Sequence, residues 1–274
     1  MTARPARLCA ALVALSATQA PAVEIPSRGT DQIAHFCVVA FGGKERWQEV
    51  RDARYTQVVT RYLPGNRPKS ERTAEIYLRY QPRQQCRIDS RTEDGKRQLM
   101  IFDGQNVRVE VEGREDADPM VRRRALRNAL SSLYLFSLPF PLRDPGVEVT
   151  YRGQGKVDGR PVYQIQAAVR NSGSASAADR YDFFIDTETF RVPQLMYTTA
   201  ADNVSYVVRW SDYANLNGLL RPLRWDYMSD AMQKAMTIEM RGLKINSNLA
   251  DSLFETRAPR RSRATAPGSA APPR

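Results

Sequence analysis

The sequence predicts a mainly β (α+β) fold: a single highly curved antiparallel sheet of about eleven strands, an incomplete barrel with helices covering its concave face. Three observations predict it. Most of the chain alternates apolar and polar residues with a period of two, the mark of strands with one buried face. Asp94-Gly95, Asp103-Gly104, Asp158-Gly159 and Asn217-Gly218 punctuate those runs with the dipeptides that suit tight hairpin turns, where positive φ is needed. One stretch, Asp118 to Phe140, breaks the pattern with a long helical period instead.

The first 22 residues stand apart. Arg4 and Arg7 precede an apolar run from Leu8 to Ala17, and Ala20-Pro21-Ala22 follows. Charged, apolar and small residues in that order predict an export signal cleaved after Ala22. The run is too short for a membrane helix. Cys9 lacks the small residues that precede a lipid-modified cysteine. Residues 23–257 are then expected to form one half-barrel domain, and residues 258–274, rich in Pro, Ala, Ser and Arg, a disordered basic tail.

Ile33, Phe36, Cys37, Ala40 and Phe41 recur at helical spacing after a cap at Thr30 or Asp31, and Gly42-Gly43 ends that helix. Lys44 to Arg51 is a second short helix with Trp47 and Val50 inward. Strands are expected at 55–63, 72–80, 85–92, 97–102 and 106–112. In the strand at 72–80, Ala74, Ile76, Leu78 and Tyr80 share one face. Asp118 then caps a helix over 119–138 whose first position is Pro119, a residue suited to it. Leu126, Ala129, Leu130 and Leu133 form its apolar stripe, Arg122, Arg123, Arg124 and Arg127 its basic face, and Pro139 and Pro141 its stop. Strands resume near 147–151, 162–169, 180–185, 192–198, 203–210, 220–228 and 236–245, with a flexible loop at Asn171 to Ala178. An eight-stranded barrel about fills itself with side chains, whereas a wider sheet leaves a lumen or needs a plug. Eleven strands therefore imply a cavity or an insert, and the helices are the available inserts.

The order of these elements resembles the periplasmic lipoprotein-carrier superfamily, the LolA/LolB-like fold. Phe41-Gly42-Gly43 followed by Trp47 is similar to a GG…W opening in outer-membrane lipoprotein-sorting-like proteins, and Asp103-Gly104-Gln105 to their DG hairpin. Ser211-Asp212-Tyr213 through Asn217-Gly218 to Arg221-Pro222 resembles a DY…NG…xP signature, and Asp251-Ser252-Leu253-Phe254 a closing D…LF segment. The likeness spans Thr30 to Glu255. It implies an exported, non-enzymatic protein with a hydrophobic cavity between sheet and helices, suited to an acyl chain. It transfers no binding residue, because acyl contacts in such carriers are spread over apolar positions.

Chemistry in the residues agrees with a binder. One histidine, His35, cannot build a histidine-rich metal site. No Gly-x-Ser-x-Gly elbow occurs. Gly153-x-Gly155 leads into a strand and not into a phosphate-holding helix. Asp182, Asp186 and Glu188 read as turn residues. No cofactor is expected and no catalytic or metal site is assigned. Cys37 and Cys86 leave two readings open, a disulfide or two buried thiols. The chain carries 12 Tyr, 9 Phe and 3 Trp, and the expected cavity lining is Leu126, Leu130, Leu133, Tyr181, Phe183, Tyr206, Trp210 and Trp225.

The formal charge of +11 owes much to its ends, with Arg4 and Arg7 in the leader and Arg260, Arg261, Arg263 and Arg274 in the tail. The expected ligand is a lipid or lipoprotein acyl chain bound by a monomer, with an envelope protein or an anionic membrane surface as a further partner and no nucleic acid. A sensor or interaction module on the same fold is the alternative, and an enzyme with its site in the cavity the lesser one.

Overall fold

The computed structural model describes residues 27–169, 180–198, 204–229 and 231–256. The export leader, the Asn171–Ala178 loop and the tail expected above lie outside the described residues. The chain begins with helices α1 (Ser27–Ala40) and α2 (Lys44–Gln48) and continues through strands β1 (Asp52–Leu63), β2 (Arg67–Arg79), β3 (Gln85–Arg91), β4 (Arg97–Phe102), β5 (Val107–Val111) and β6 (Arg114–Glu115). Helix α3 (Pro119–Ser137) follows, with a 3-10 turn at Phe140–Arg143. The second half is β7 (Val147–Val157), β8 (Arg160–Val169), β9 (Arg180–Asp186), β10 (Gln194–Thr198), β11 (Ser205–Leu216), β12 (Leu219–Met228) and β13 (Lys234–Ile245), closed by a 3-10 turn at Asp251–Phe254.

All thirteen strands form one sheet in the order β6-β5-β4-β3-β2-β1-β13-β12-β11-β10-β9-β8-β7. Its pairings are antiparallel, and the ends β6 and β7 do not pair with each other, so the barrel stays open. Chain order is kept on each side of a single long-range junction, β1 with β13. The two halves are therefore meanders, each built from local hairpins, and the fold's costliest loop closure is that one pairing.

Thirteen strands replace the expected eleven or so. The two-residue β6 carries no sequence signal because it is too short to show alternation. All four expected turn glycines have positive φ, but Asp94 and Asp103 do not, so two of the four turns show the expected chemistry in full. Asp158-Gly159 and Asn217-Gly218 have positive φ at both residues, 49° and 81° in the first and 54° and 85° in the second, as a twist-matched two-residue hairpin requires. Gly153, which superficially suggested a phosphate loop, lies inside β7 at φ 123° where the register with β8 slips.

Two helical faces are corrected. Helix α1 is already formed at Ser27, the first described residue and upstream of the expected cap, and the segment buries Ile33, Ala34, Cys37, Val38 and Phe41, whereas Phe36 is 46% and Val39 51% exposed. Phe36 instead stands 5.1 Å from Phe190, a residue in the turn after β9. Helix α3 buries Ala125, Ala129, Leu133 and Phe136, while Leu126 and Leu130 are only half-buried. Ala125 and Ala129 are small enough to bring the helix close onto β3, β4 and β5, so the buried stripe runs one residue earlier than leucine content suggests. Asp118 does cap α3, accepting from the Met120 amide at 2.8 Å, and the helix stops before Pro139.

Candidate functional site

The concave face is an apolar floor laid by strand register. Ile165, Phe183, Leu195, Val208, Tyr227 and Met236 are paired in succession across β8, β9, β10, β11, β12 and β13. Two residues along the strands, Ala167, Tyr181, Tyr197 and Tyr206 form a parallel row. On its other side Trp210 pairs with Trp225, Trp225 with Ile238 and Ile238 with Val59. Period-two alternation puts all of these on one face. Cross-strand neighbours of this kind are the unit of sheet stabilisation.

The C-terminal half of α3 lies in the trough. Phe136 stacks on Tyr55 of β1 at 5.9 Å, and Tyr134 meets Tyr181 of β9 at 5.1 Å. Four strands separate β1 from β9 in the sheet. One helix touches both because the sheet curls round it. Trp47 adds a third wall, stacked on Phe140 at 4.7 Å with the rings 5° apart. Three of the helix's last four carbonyls have partners. Ser137 Oγ donates to Tyr134 O, Leu138 N to Leu135 O, and Arg221 to Phe136 O. One turn earlier Tyr80 Oη donates to Leu133 O. Buried helix ends need such partners.

Arg221 rises from β12 beneath this end. It is 1% exposed, donates Nη1 to Leu138 O at 2.8 Å and Nη2 to Phe136 O, and lies under Phe136 with 4.6 Å to the ring centroid. Its Nε has no partner, and among the described residues no carboxylate pairs with it. Burial pushes its pKa down from 12.5 to about 10, against the opposing pull of Tyr80, Tyr55 and Tyr213. The cation is held by rings and by the negative end of a helix dipole.

The eight expected lining residues divide in two. Leu133, Tyr181, Phe183, Trp210 and Trp225 are buried core side chains. Leu126, Leu130 and Tyr206 are half-buried and pack against that core. Ile88, Ala74, Val59 and Met236 share this half-buried state on the concave side of β3, β2, β1 and β13, as does Tyr134 on α3. The trough is thus packed in its middle and carries a part-exposed apolar rim. Phe136, Tyr134 and Arg221 were missed. The parity of Leu219, Arg221, Leu223, Trp225 and Tyr227 would have shown that Arg221 points inward.

A separate cleft of about 670 Å³ lies on the opposite face of the sheet, lined in part by Arg79, Gln85, Asp103, Asp251 and Phe254. None of the expected lining residues borders it. Three of its charged residues are engaged structurally: Arg79 pairs with Asp251 at 2.6 Å and lies over Phe254, and Asp103 accepts from Thr256 and from the amides of Gln105 and Asn106. The carboxylates of the β9 hairpin have similar duties. Asp186 accepts from Thr189 and pairs with Arg160, and Asp182 accepts from Gln166. His35 is exposed. Among the described residues no three His, Cys, Asp or Glu side chains gather as a metal site, and no helix is long and apolar enough to cross a membrane.

Cys37 and Cys86 are free and fully buried. Of the two readings open in the sequence, the structure carries the thiols and not the bridge. The two stand on different elements, α1 and β3, and burial raises both thiol pKa values far above their ordinary value. Thiolate is the reactive form. A thiol reagent should therefore leave both cysteines unmodified in the native protein and label both after unfolding without reductant. Mass spectrometry of the two peptides checks this; two unlabelled cysteines after unfolding would mean a bridge.

No protein-family model matches the sequence, and no curated protein matches it. Solved structures do. The chain is similar to a DUF1329 family protein from Desulfovibrio piger, with 14% identity, TM-score 0.52, and 83% of this chain and 97% of that one covered. It is similar to a LolA superfamily protein from Nitrosomonas europaea at 10% identity and TM-score 0.53, covering 82% and 97%. It is also similar to a putative outer membrane lipoprotein-sorting protein domain from Vibrio parahaemolyticus at 11% identity and TM-score 0.50, covering 84% and 97%. At such identities the likeness is one of fold, and the fold is LolA-like.

Proposed function

We propose that this LolA-like chain is an exported, non-enzymatic periplasmic protein that holds a lipid or lipoprotein acyl chain against the concave face of its sheet. The supporting observation is the part-exposed apolar rim on that face. Leu126, Leu130 and Tyr134 of α3 meet it from one side, and Tyr206 and Met236 from the other. Apolar walls with few polar handles suit a hydrocarbon tail.

Burying a sixteen-carbon chain from water is worth roughly 12 kcal/mol at about 0.8 kcal/mol per CH₂. Transfer from a bilayer gains none of this, because the tail starts in hydrocarbon. A carrier built this way takes its cargo from a donor and yields it to a receiver. With α3 seated between β1 and β9, the tail enters along the rim and displaces part of the helix from the trough.

Mass spectrometry of lipid extracted from the purified protein, and titration with an acyl-chain fluorophore, test the proposal. Leu130→Asp should weaken probe binding by about tenfold or more, since a carboxylate would replace apolar contact and have to be desolvated. Because Leu130 is half-buried, the melting temperature should move only a few degrees. Met232→Asp, in an exposed turn, should change neither. A protein that yields no lipid and takes up no probe would sink the reading.

A further inference from the structure

The outward face of α3 is built differently from its buried one. Met120, Arg123, Arg124 and Arg127 follow the spacing i, i+3, i+4, i+7, which places them together on one helical face. Met120 is 63% exposed and the three arginines are exposed. None of these arginines has an ion pair among the described residues. The nearby acids are already engaged. Glu115 pairs with Arg122 at 2.5 Å, Glu110 with Arg108 at 2.7 Å, and Glu112 accepts from the Arg97 amide.

Position makes the cluster costly. Arg123 and Arg127 stand at i, i+4 spacing, where like charges repel, and Arg124 adds a third cation beside them. The helix contains no Asp or Glu at all. An ordinary solvated face would mix signs. This one concentrates unpaired positive charge at like-charge spacing, with an exposed apolar side chain, Met120, at its N-terminal end. Such departures mark functional surfaces.

We infer that this face docks the protein on an anionic bilayer surface, with Arg123, Arg124 and Arg127 on lipid phosphates and Met120 inserted among the headgroups. The occupant follows from charge complementarity and from shape. Three guanidinium forks each suit phosphate oxygens. A single flexible apolar side chain beside them matches an interface with hydrocarbon just below a charged layer. Docking rests on side chains distinct from the acyl-binding ones: Leu126 and Leu130 flank this face between it and the buried stripe of Ala125, Ala129 and Leu133.

Flotation of the full chain with phosphatidylcholine vesicles, with and without phosphatidylglycerol, tests it. Binding should require phosphatidylglycerol and fall with added salt. The triple variant Arg123→Gln, Arg124→Gln, Arg127→Gln should partition on the order of a hundredfold more weakly, at about a factor of five per arginine. Leader and tail arginines are common to parent and variant, so the difference reads α3. Far-UV circular dichroism should be unchanged, as should uptake of the acyl fluorophore. In a second arm, Met120→Trp should add fluorescence that brominated lipid quenches. Equal flotation by the triple variant, binding to phosphatidylcholine alone, or no quenching of the added tryptophan would each overturn the inference. Loss of acyl uptake with vesicle binding intact would count only against the acyl reading.

Discussion

Replacing Arg221 with alanine should lower the stability of this protein by on the order of 4 kcal/mol. The side chain does three things at once. It supplies the donors for Leu138 O and Phe136 O, two carbonyls at the buried end of α3. It fills space beneath Phe136, Trp47 and Phe140. It sets a positive charge at a helix C-terminus, where the dipole favours one. Alanine leaves both carbonyls without this donor and opens a void under three rings, and each loss costs on the scale of one to a few kcal/mol.

Two companions separate these contributions. Arg221→Lys keeps the charge, but a compact ammonium cannot span both carbonyls and lie flat on a ring, so about half the loss should remain. Arg221→Met keeps much of the volume and removes the cation, whose burial in the absence of a carboxylate is itself unfavourable. Its midpoint in urea should lie between those of the alanine variant and the parent. An alanine variant as stable as the parent would contradict this packing. Loss of the end of α3 should also appear as faster proteolysis near Ser137, because the helix would lose its anchor to the floor.

How much of this was legible in the sequence depends on whether the cause is local. Hairpin turns were, because Asp158-Gly159 and Asn217-Gly218 adopt the positive φ values that their own chemistry permits. The bounds of α3 were, because Asp118 and Pro139 act within one turn. Which residues of α3 face inward was legible only in part. Of the expected stripe, Ala129 and Leu133 are buried, but Leu126 and Leu130 are not, because close approach to β3, β4 and β5 favours Ala125 beside Ala129. Small size counts there as much as apolar character, and the need for it comes from distant strands. Phe36 fails for a related reason, since its ring belongs with Phe190, far away in sequence. Five of the eight expected lining residues proved to be packed core. The alternation correctly put the strand positions among them on the concave face but could not say that α3 would fill the space above them. Register supplies the face of a sheet; curvature, which decides what fits inside, is set by all thirteen strands together.

Gly42→Ala should be comparably damaging, at roughly 3–5 kcal/mol, although no side chain is removed. Gly42 follows α1 at φ +114°, a region L-residues rarely adopt, and a Cβ there would lie 2.3 Å from the carbonyl oxygen of Gly218 and 3.1 Å from Leu219 Cα. Both obstacles are backbone, so relief requires moving the β11–β12 hairpin away from the end of α1. That hairpin is tied to the helix by the Leu220 amide, which donates to Phe41 O at 3.0 Å. Separation would therefore also strain a hydrogen bond and loosen Phe41 from Trp210 and Tyr213. Gly43 is the control. Its φ is +87°, but a Cβ would meet only Glu45 Oε2, at 3.3 Å, and that flexible side chain can move aside. Gly43→Ala should then cost only the backbone strain, about 1–2 kcal/mol. Urea midpoints of the two variants check the order. Equal losses would mean that conformational strain alone is felt, whereas a larger loss at Gly42 identifies the contact with Gly218 as the joint between α1 and the sheet.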